Sequence, residues 1–187
     1  MKTRLSIKLI FCFVFLTAMS CGEVDKQRNF ESHKKEFNEL IVFYKEIVPK
    51  DKIIEIEFYD NTNLQRFQIT DIDTIWVKKD SFYLSSSPLY FEWEIKIDNI
   101  PDSILSEINW TRQTFDMLKT KLDNANCISI NNENPIIIDY KRDFFGEFTY
   151  HIYSDYDSAK MKEVKSKRND LHFFCDSVAW SYDTGAL

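Results

Sequence analysis

The chain has 187 residues, 24 basic against 30 acidic side chains, and 44% hydrophobic content, which fits one globular domain and excludes a disordered tail. A net charge of −6 argues against a phosphate-binding surface, so nucleic acid is not an expected partner. Three Gly and four Pro exclude collagen-like, linker-type and glycine-loop architectures.

Residues 1–20 have the order of a secretory signal: Lys2, Arg4 and Lys8, an unbroken apolar run from Leu9 to Leu16, then Thr17, Ala18, Met19 and Ser20 before Cys21. The apolar stretch is shorter than the roughly 20 residues of a spanning helix. Small residues at Ala18 and Ser20 directly before a cysteine resemble a bacterial lipobox, although Ala18 stands where leucine is usual. That resemblance implies a diacylglyceryl group on the Cys21 thiol and cleavage that makes Cys21 the new N-terminus. Removing residues 1–20 takes away three basic and no acidic groups, moving the formal charge from −6 to −9. An acidic body is repelled by anionic headgroups, so the lipid on Cys21 would be what holds it at the membrane. With Gly22 rather than Asp after the cysteine, the resemblance implies the outer membrane.

The expected organisation is a signal peptide over 1–20, a polar tether over 21–29 and a single domain over 30–187. Phe37, Leu40, Ile41, Tyr44 and Val48 recur at helical spacing until Pro49 ends the run. The period then changes to two. Ile54, Ile56 and Phe58 alternate with Glu55 and Glu57, and Asp60 to Asn63 reads as a turn. Phe67 and Ile69 begin a return strand and Ile75 to Val77 a third. Leu89, Phe91, Trp93, Ile95 and Ile97 alternate with Tyr90, Glu92 and Glu94, which predicts the apolar set buried and the acids solvated. Asp102 and Thr111 are expected helix caps, the second before an apolar face of Phe115, Leu118, Leu122 and Ala125. Strands follow at 127–130, 136–140 and around Phe148 to Ile152. A polar helix within 156–168 precedes a last hairpin turning at Asp176-Ser177. The predicted architecture is α+β, a mainly antiparallel sheet with helices packed on one face.

Cys127 and Cys175 are the cysteines left in the mature body. In an oxidising compartment they are a candidate disulfide; the alternative is two small buried hydrophobes. His33, His151 and His172 share no metal-ligand spacing and read as surface or edge histidines. Glu92 and Glu94 are the strongest candidate acid pair, beside Tyr90 and Trp93. Asp60, Asp71 and Asp73 lack the spacing and glycine of a calcium loop. Tyr83, Tyr90, Tyr153 and Tyr156 are candidates for an outward aromatic surface. No catalytic residue, metal ligand or cofactor site is expected.

The stretches Asn109-Trp110-Thr111, Thr114-Phe115, Leu118 to Leu122 and Ala125 to Ile130, with Phe148 to Ile152 and the closing Gly185-Ala186, resemble small Bacteroidota lipoproteins of unknown function. Asp183 and Thr184 stand where those proteins carry glycines. The resemblance implies an envelope location and assigns no activity. The expected function is a lipid-anchored, non-enzymatic binding or interaction module of the cell envelope whose ligand the sequence does not name, with an envelope protein as a candidate partner. The alternatives are a structural part of an envelope complex or a carboxylate-dependent hydrolase.

Overall fold

The computed structural model describes residues 26–72, 77–78, 81–82, 88–143 and 146–183. The signal, Cys21, Asp73, Ile75, Tyr83 and Gly185-Ala186 lie outside the described residues. The chain divides into two compact units, residues 1–34 and 35–187. In the first, residues 26–32 are helical, so 26–29 of the expected tether is helix. Gln27 donates to Glu31 at 2.7 Å, and His33 Nδ1 is 2.9 Å from the Asn29 carbonyl.

The second unit is the predicted α+β domain, and its main sheet is antiparallel throughout. Helix α1 (Lys34–Ile47) buries Phe37, Leu40 and Tyr44, one stripe at the period of a helix. Strands β1 (Lys52–Phe58) and β2 (Asn63–Asp71) form a hairpin. Its turn is set by Asp60, whose Oδ1 accepts from the backbone N–H of Thr62 at 2.7 Å and of Asn63 at 2.8 Å. Strands β3 (Val77–Lys78) and β4 (Ser81–Phe82) pair as a separate ribbon, and β5 (Tyr90–Lys96) returns to pair with β2. Pro101 occupies the N-cap of the short helix α2 (Asp102–Glu107), so Asp102 is its first residue rather than its cap. Thr111 does cap α3 (Arg112–Asn124), and its N–H donates to Thr114 Oγ1 at 3.1 Å in a capping box. Then come β6 (Ser129–Asn131), β7 (Ile136–Asp143), β8 (Gly146–Ile152), α4 (Ser158–Lys167), β9 (His172–Cys175) and β10 (Val178–Asp183).

Whether the strands before and after the central helices share a sheet is settled by one pairing. β1 pairs with β6, and the order is β5-β2-β1-β6-β7-β8-β10-β9. The seam is short: Glu55, Ile56 and Glu57 face Asn131, Ile130 and Ser129. It is reinforced by Tyr44, whose hydroxyl donates to the Ile54 carbonyl at 2.8 Å, and by Asn132, whose Oδ1 accepts from the Ile54 N–H at 2.7 Å.

Register places one apolar row across the sheet: Phe67, Ile56, Ile130, Ile138, Tyr150 and Trp180. Helices α1 and α3 cover this face. Phe37 meets Tyr150 edge-on at 5.1 Å, and Phe115 meets Phe67 at 5.6 Å. Trp110, between α2 and α3, stacks on Phe67 and donates its indole N–H to the Ile47 carbonyl at 2.9 Å. Helix α4 packs through Met161 with Tyr153, Leu171 and Ala179 on the opposite face, at the β8–β10–β9 end, so the helices are not all on one face as expected. Ala179 pairs with His151 and Phe173.

The candidate disulfide is not formed. Cys127 and Cys175 both carry free thiols, the first buried and the second exposed. Cys127 leads into β6 and Cys175 ends β9, four strand positions apart in the sheet. At about 4.8 Å per strand that is roughly 19 Å, far beyond the Cα separation a disulfide spans. Among the described residues no helix is long and apolar enough to cross a membrane.

Candidate functional site

The sheet face opposite the apolar row carries the polar residues of the strands. The same register that lines up the core lines these up in two further rows. One runs Trp93, Arg66, Glu57 and Ser129, then Asp139, Thr149 and Ser181. The other runs Phe91, Gln68, Glu55, Asn131, Ile137, His151, Ala179 and Phe173. Strand alternation forces this: once Ile54 and Ile56 face the helices, Glu55 and Glu57 face the other way.

At the β5 end both rows begin with apolar side chains in solvent. Leu89, Phe91 and Trp93 are 43%, 42% and 47% exposed. Phe91 and Trp93 meet edge-on at 5.8 Å, and the Arg66 guanidinium sits 5.4 Å from the Trp93 ring centroid. This corrects the expected parity of β5. Glu92 and Tyr90 pair with Phe67 and Ile69 and so stand on the helix side; Tyr90 packs against Phe67 at 5.8 Å. The reason is position. β5 ends the sheet, so alternation there does not separate core from water as it does in a central strand. Glu92 and Glu94 therefore do not flank a shared site with Trp93. Glu94 also adopts a left-handed backbone with φ 52°, which interrupts the regular strand.

The middle of the row is ionic. Arg66 Nη2 lies 2.7 Å from Glu55 and 3.6 Å from Glu57. Arg142 bridges Glu57 at 3.1 Å and Glu147 at 3.2 Å. Asp139 accepts hydrogen bonds from the hydroxyls of Ser129 and Thr149, the second at 2.8 Å. Glu57 is only 3% exposed. Burial pushes the Glu55 and Glu57 carboxyls above their usual range, against the pull of the neighbouring arginines. Burial, followed by the charge of Asp139, pushes Glu147 up to about 7.

Further along the same face, His151 Nε2 is 2.8 Å from Ser181 Oγ. His151 is buried rather than superficial, and burial followed by the charge of Arg168 lowers it to about 4. A serine hydroxyl on an imidazole is one element of nucleophilic catalysis. His172 instead stacks on Trp180 at 4.5 Å.

Among the described residues, Asp60 and Asp71 stay apart, as their spacing implied, and the candidate tyrosine surface does not assemble. Asp60 closes the β1–β2 turn while Asp71 ends β2 and pairs with Lys52, which also meets Glu107 at 3.1 Å. The two aspartates thus sit at opposite ends of one strand. Tyr153 is buried beside Tyr156 and Phe173, so it forms no outward surface with Tyr90. Among the described residues no group of three or more His, Cys, Asp or Glu is arranged to hold a metal ion. A cleft of about 190 Å³ lies between Lys45, Pro49, Asn134 and Asp155, but Lys45 is already tied to Ser154 and Asp155 there.

Sequence reasoning missed Glu55, Glu57, Arg66, Asp139, Arg142 and Glu147 as a group. Glu55 and Glu57 carried a signal in their alternation with Ile54, Ile56 and Phe58. Arg66 is set opposite Glu57 by the register of the β1–β2 hairpin, and Asp139, Arg142 and Glu147 reach the group only through the β1–β6 pairing. The chain matches no family model, no curated protein and no solved structure.

Proposed function

We propose that this chain is a lipid-anchored protein of the cell envelope, held at the membrane through Cys21, that binds an envelope protein without catalysing a reaction. The observation that supports a binding role is the β5 end of the open sheet face. There Leu89, Phe91 and Trp93 are exposed together beside Arg66. Exposed aromatics with a stacked arginine are the side chains that dominate protein interfaces. The acidic body adds electrostatic selection for a basic partner surface.

The test is affinity capture from the source organism's membranes with wild type, Cys21→Ser and Trp93→Ala. One partner retained by wild type and lost with Trp93→Ala supports the reading. Membrane release of Cys21→Ser supports the anchor separately. Equal solubility of wild type and Cys21→Ser would overturn the anchor, and an identical captured set for wild type and Trp93→Ala would overturn the binding surface.

A second reading, a carboxylate-dependent hydrolase, is favoured by one observation. Glu147, raised to about 7 by burial, shares Arg142 with the buried Glu57, which brings two carboxyl groups to one cation. Turnover of envelope glycans that disappears with Glu147→Gln would support it over the first.

A further inference from the structure

The two edges of the eight-stranded sheet are built differently. β9, at one end, has four residues, and its register with β10 shifts between Val178 and Ala179. Its Phe173 packs against the Met161 cluster of α4. Short length, irregular pairing and a covering helix are what keep a sheet edge from recruiting another strand. β5, at the other end, has seven residues and no proline, and Phe91 to Glu94 are exposed in succession. Among the described residues no strand pairs with its outer edge. Glu94, with φ 52°, breaks the regular backbone once, which sets Tyr90 to Trp93 as the stretch that another chain can follow.

Exposure at consecutive residues means that both sides of β5 lack cover, since alternate side chains point to opposite faces. On the open face the exposed groups are Phe91 and Trp93, with the Arg66 guanidinium already supplying a cation. On the helix side Glu92 presents an exposed carboxylate. We propose that the outer edge of β5 takes up an extended segment of a partner protein as a further strand, with apolar side chains against Phe91 and Trp93 and a lysine or arginine opposite Glu92. This rests on the binding reading above and gives that surface an occupant. Main-chain hydrogen bonds along Tyr90 to Trp93 would hold the segment, and its alternate side chains would select it. The net charge of −6 favours the same basic segment.

The probe is a capped peptide of about eight residues alternating lysine and valine, added to the full chain and read by amide hydrogen exchange. Amides within 90–93 should gain about tenfold protection with this peptide. They should gain none with a lysine–glycine peptide of equal length and charge, which is attracted as strongly but forms strands poorly. Glu92→Lys should weaken the lysine–valine peptide about tenfold and admit one of glutamate and valine. No added protection in β5, equal protection by the glycine peptide, or binding unmoved by Glu92→Lys would overturn the proposal. So would a dimeric chain whose β5 amides are protected before peptide is added, because the occupant would then be a second copy. The added strand and the docking surface fail separately in capture from membranes, since a partner seated on the open face does not reach Glu92. Capture lost with both Trp93→Ala and Glu92→Lys supports the strand. Capture lost with Trp93→Ala but kept with Glu92→Lys overturns the strand and leaves the docking surface standing.

Discussion

Arg66 lies over the indole of Trp93 and, through one guanidinium nitrogen, 2.7 Å from Glu55. An exposed aromatic at the sheet's end is thereby coupled to a buried carboxylate cluster at its centre. The two partners differ in what they hold up. Arg66→Ala strips Glu55 of its cation and removes one of two near Glu57, and should cost about 2–3 kcal/mol. Trp93→Ala loses only a half-exposed ring and should cost less than about 1 kcal/mol. Urea unfolding of both variants measures the difference. Equal costs would mean that the cluster does not depend on its arginine.

Two groups on the open face should give opposite pH dependence. Glu147 titrates near 7 folded, above its ordinary 4.5, so its contribution is full below about 4.5 and is lost as pH rises through 7. His151 titrates near 4 folded, below its ordinary 6.5, so its contribution is full above 6.5 and is lost as pH falls toward 4. Between about pH 4.5 and 6.5 the two slopes oppose each other and flatten the wild-type profile. Glu147→Gln should uncover a stability that rises with pH there, and His151→Gln one that falls. Each slope approaches about 1.4 kcal/mol per pH unit at most. Denaturant midpoints across that window check the signs.

Gly146 opens β8 where β10 ends, and a Cβ placed on it would lie 2.2 Å from the Asp183 carbonyl oxygen and 2.9 Å from the Tyr182 ring. The first obstacle is backbone and does not rotate away. Gly146→Ala should therefore push β8 from β10 and cost about 2 kcal/mol or more. Thermal unfolding tests this, with loss of exchange protection at 181–183 marking the local cause.

The thiols should report their environments. Cys127 is buried, donates to the Ala125 carbonyl at 3.4 Å and is pushed well above the usual thiol range by burial. Cys175 is exposed. A thiol reagent should label Cys175 in the native protein and Cys127 only on unfolding, and a reductant should leave the unfolding midpoint unchanged. A drop in midpoint with reductant would restore the disulfide.

Tyr44 offers a test of the seam. Its hydroxyl donates to Ile54 of β1 at 2.8 Å and lies 3.5 Å from the Ile130 carbonyl of β6. Tyr44→Phe removes the buried donor and should cost about 1–2 kcal/mol. Chemical denaturation reads that cost.

Local chemistry made most of the fold legible. The stripe of Phe37, Leu40 and Tyr44, the Asp60 turn, the Thr111 cap and the Asp176-Ser177 hairpin each act over a few residues, and each stands where the sequence places it. What failed was long-range. Phe91 and Trp93 alternate as a buried face would, but their strand ends the sheet and leaves them exposed. His151 looks superficial until Ser181 arrives from a strand near the other end of the chain. The candidate site was legible only as the alternation of Glu55 and Glu57. Its remaining members are set by register, which no short window of sequence contains.

The short β1–β6 seam also bears on the order of events during synthesis. β5, β2 and β1 are complete well before Ser129 to Asn131 emerge, and until then the Glu55–Glu57 edge of β1 has no strand beside it. Such an edge invites wrong pairing while it waits. A chain that folds this half-sheet first leaves that edge open, whereas one held extended over residues 52–71 until Asn131 emerges would close both halves at once. Pulse-proteolysis of nascent chains stalled before and after Asn131 would show protection of β1 appearing only in the longer chain.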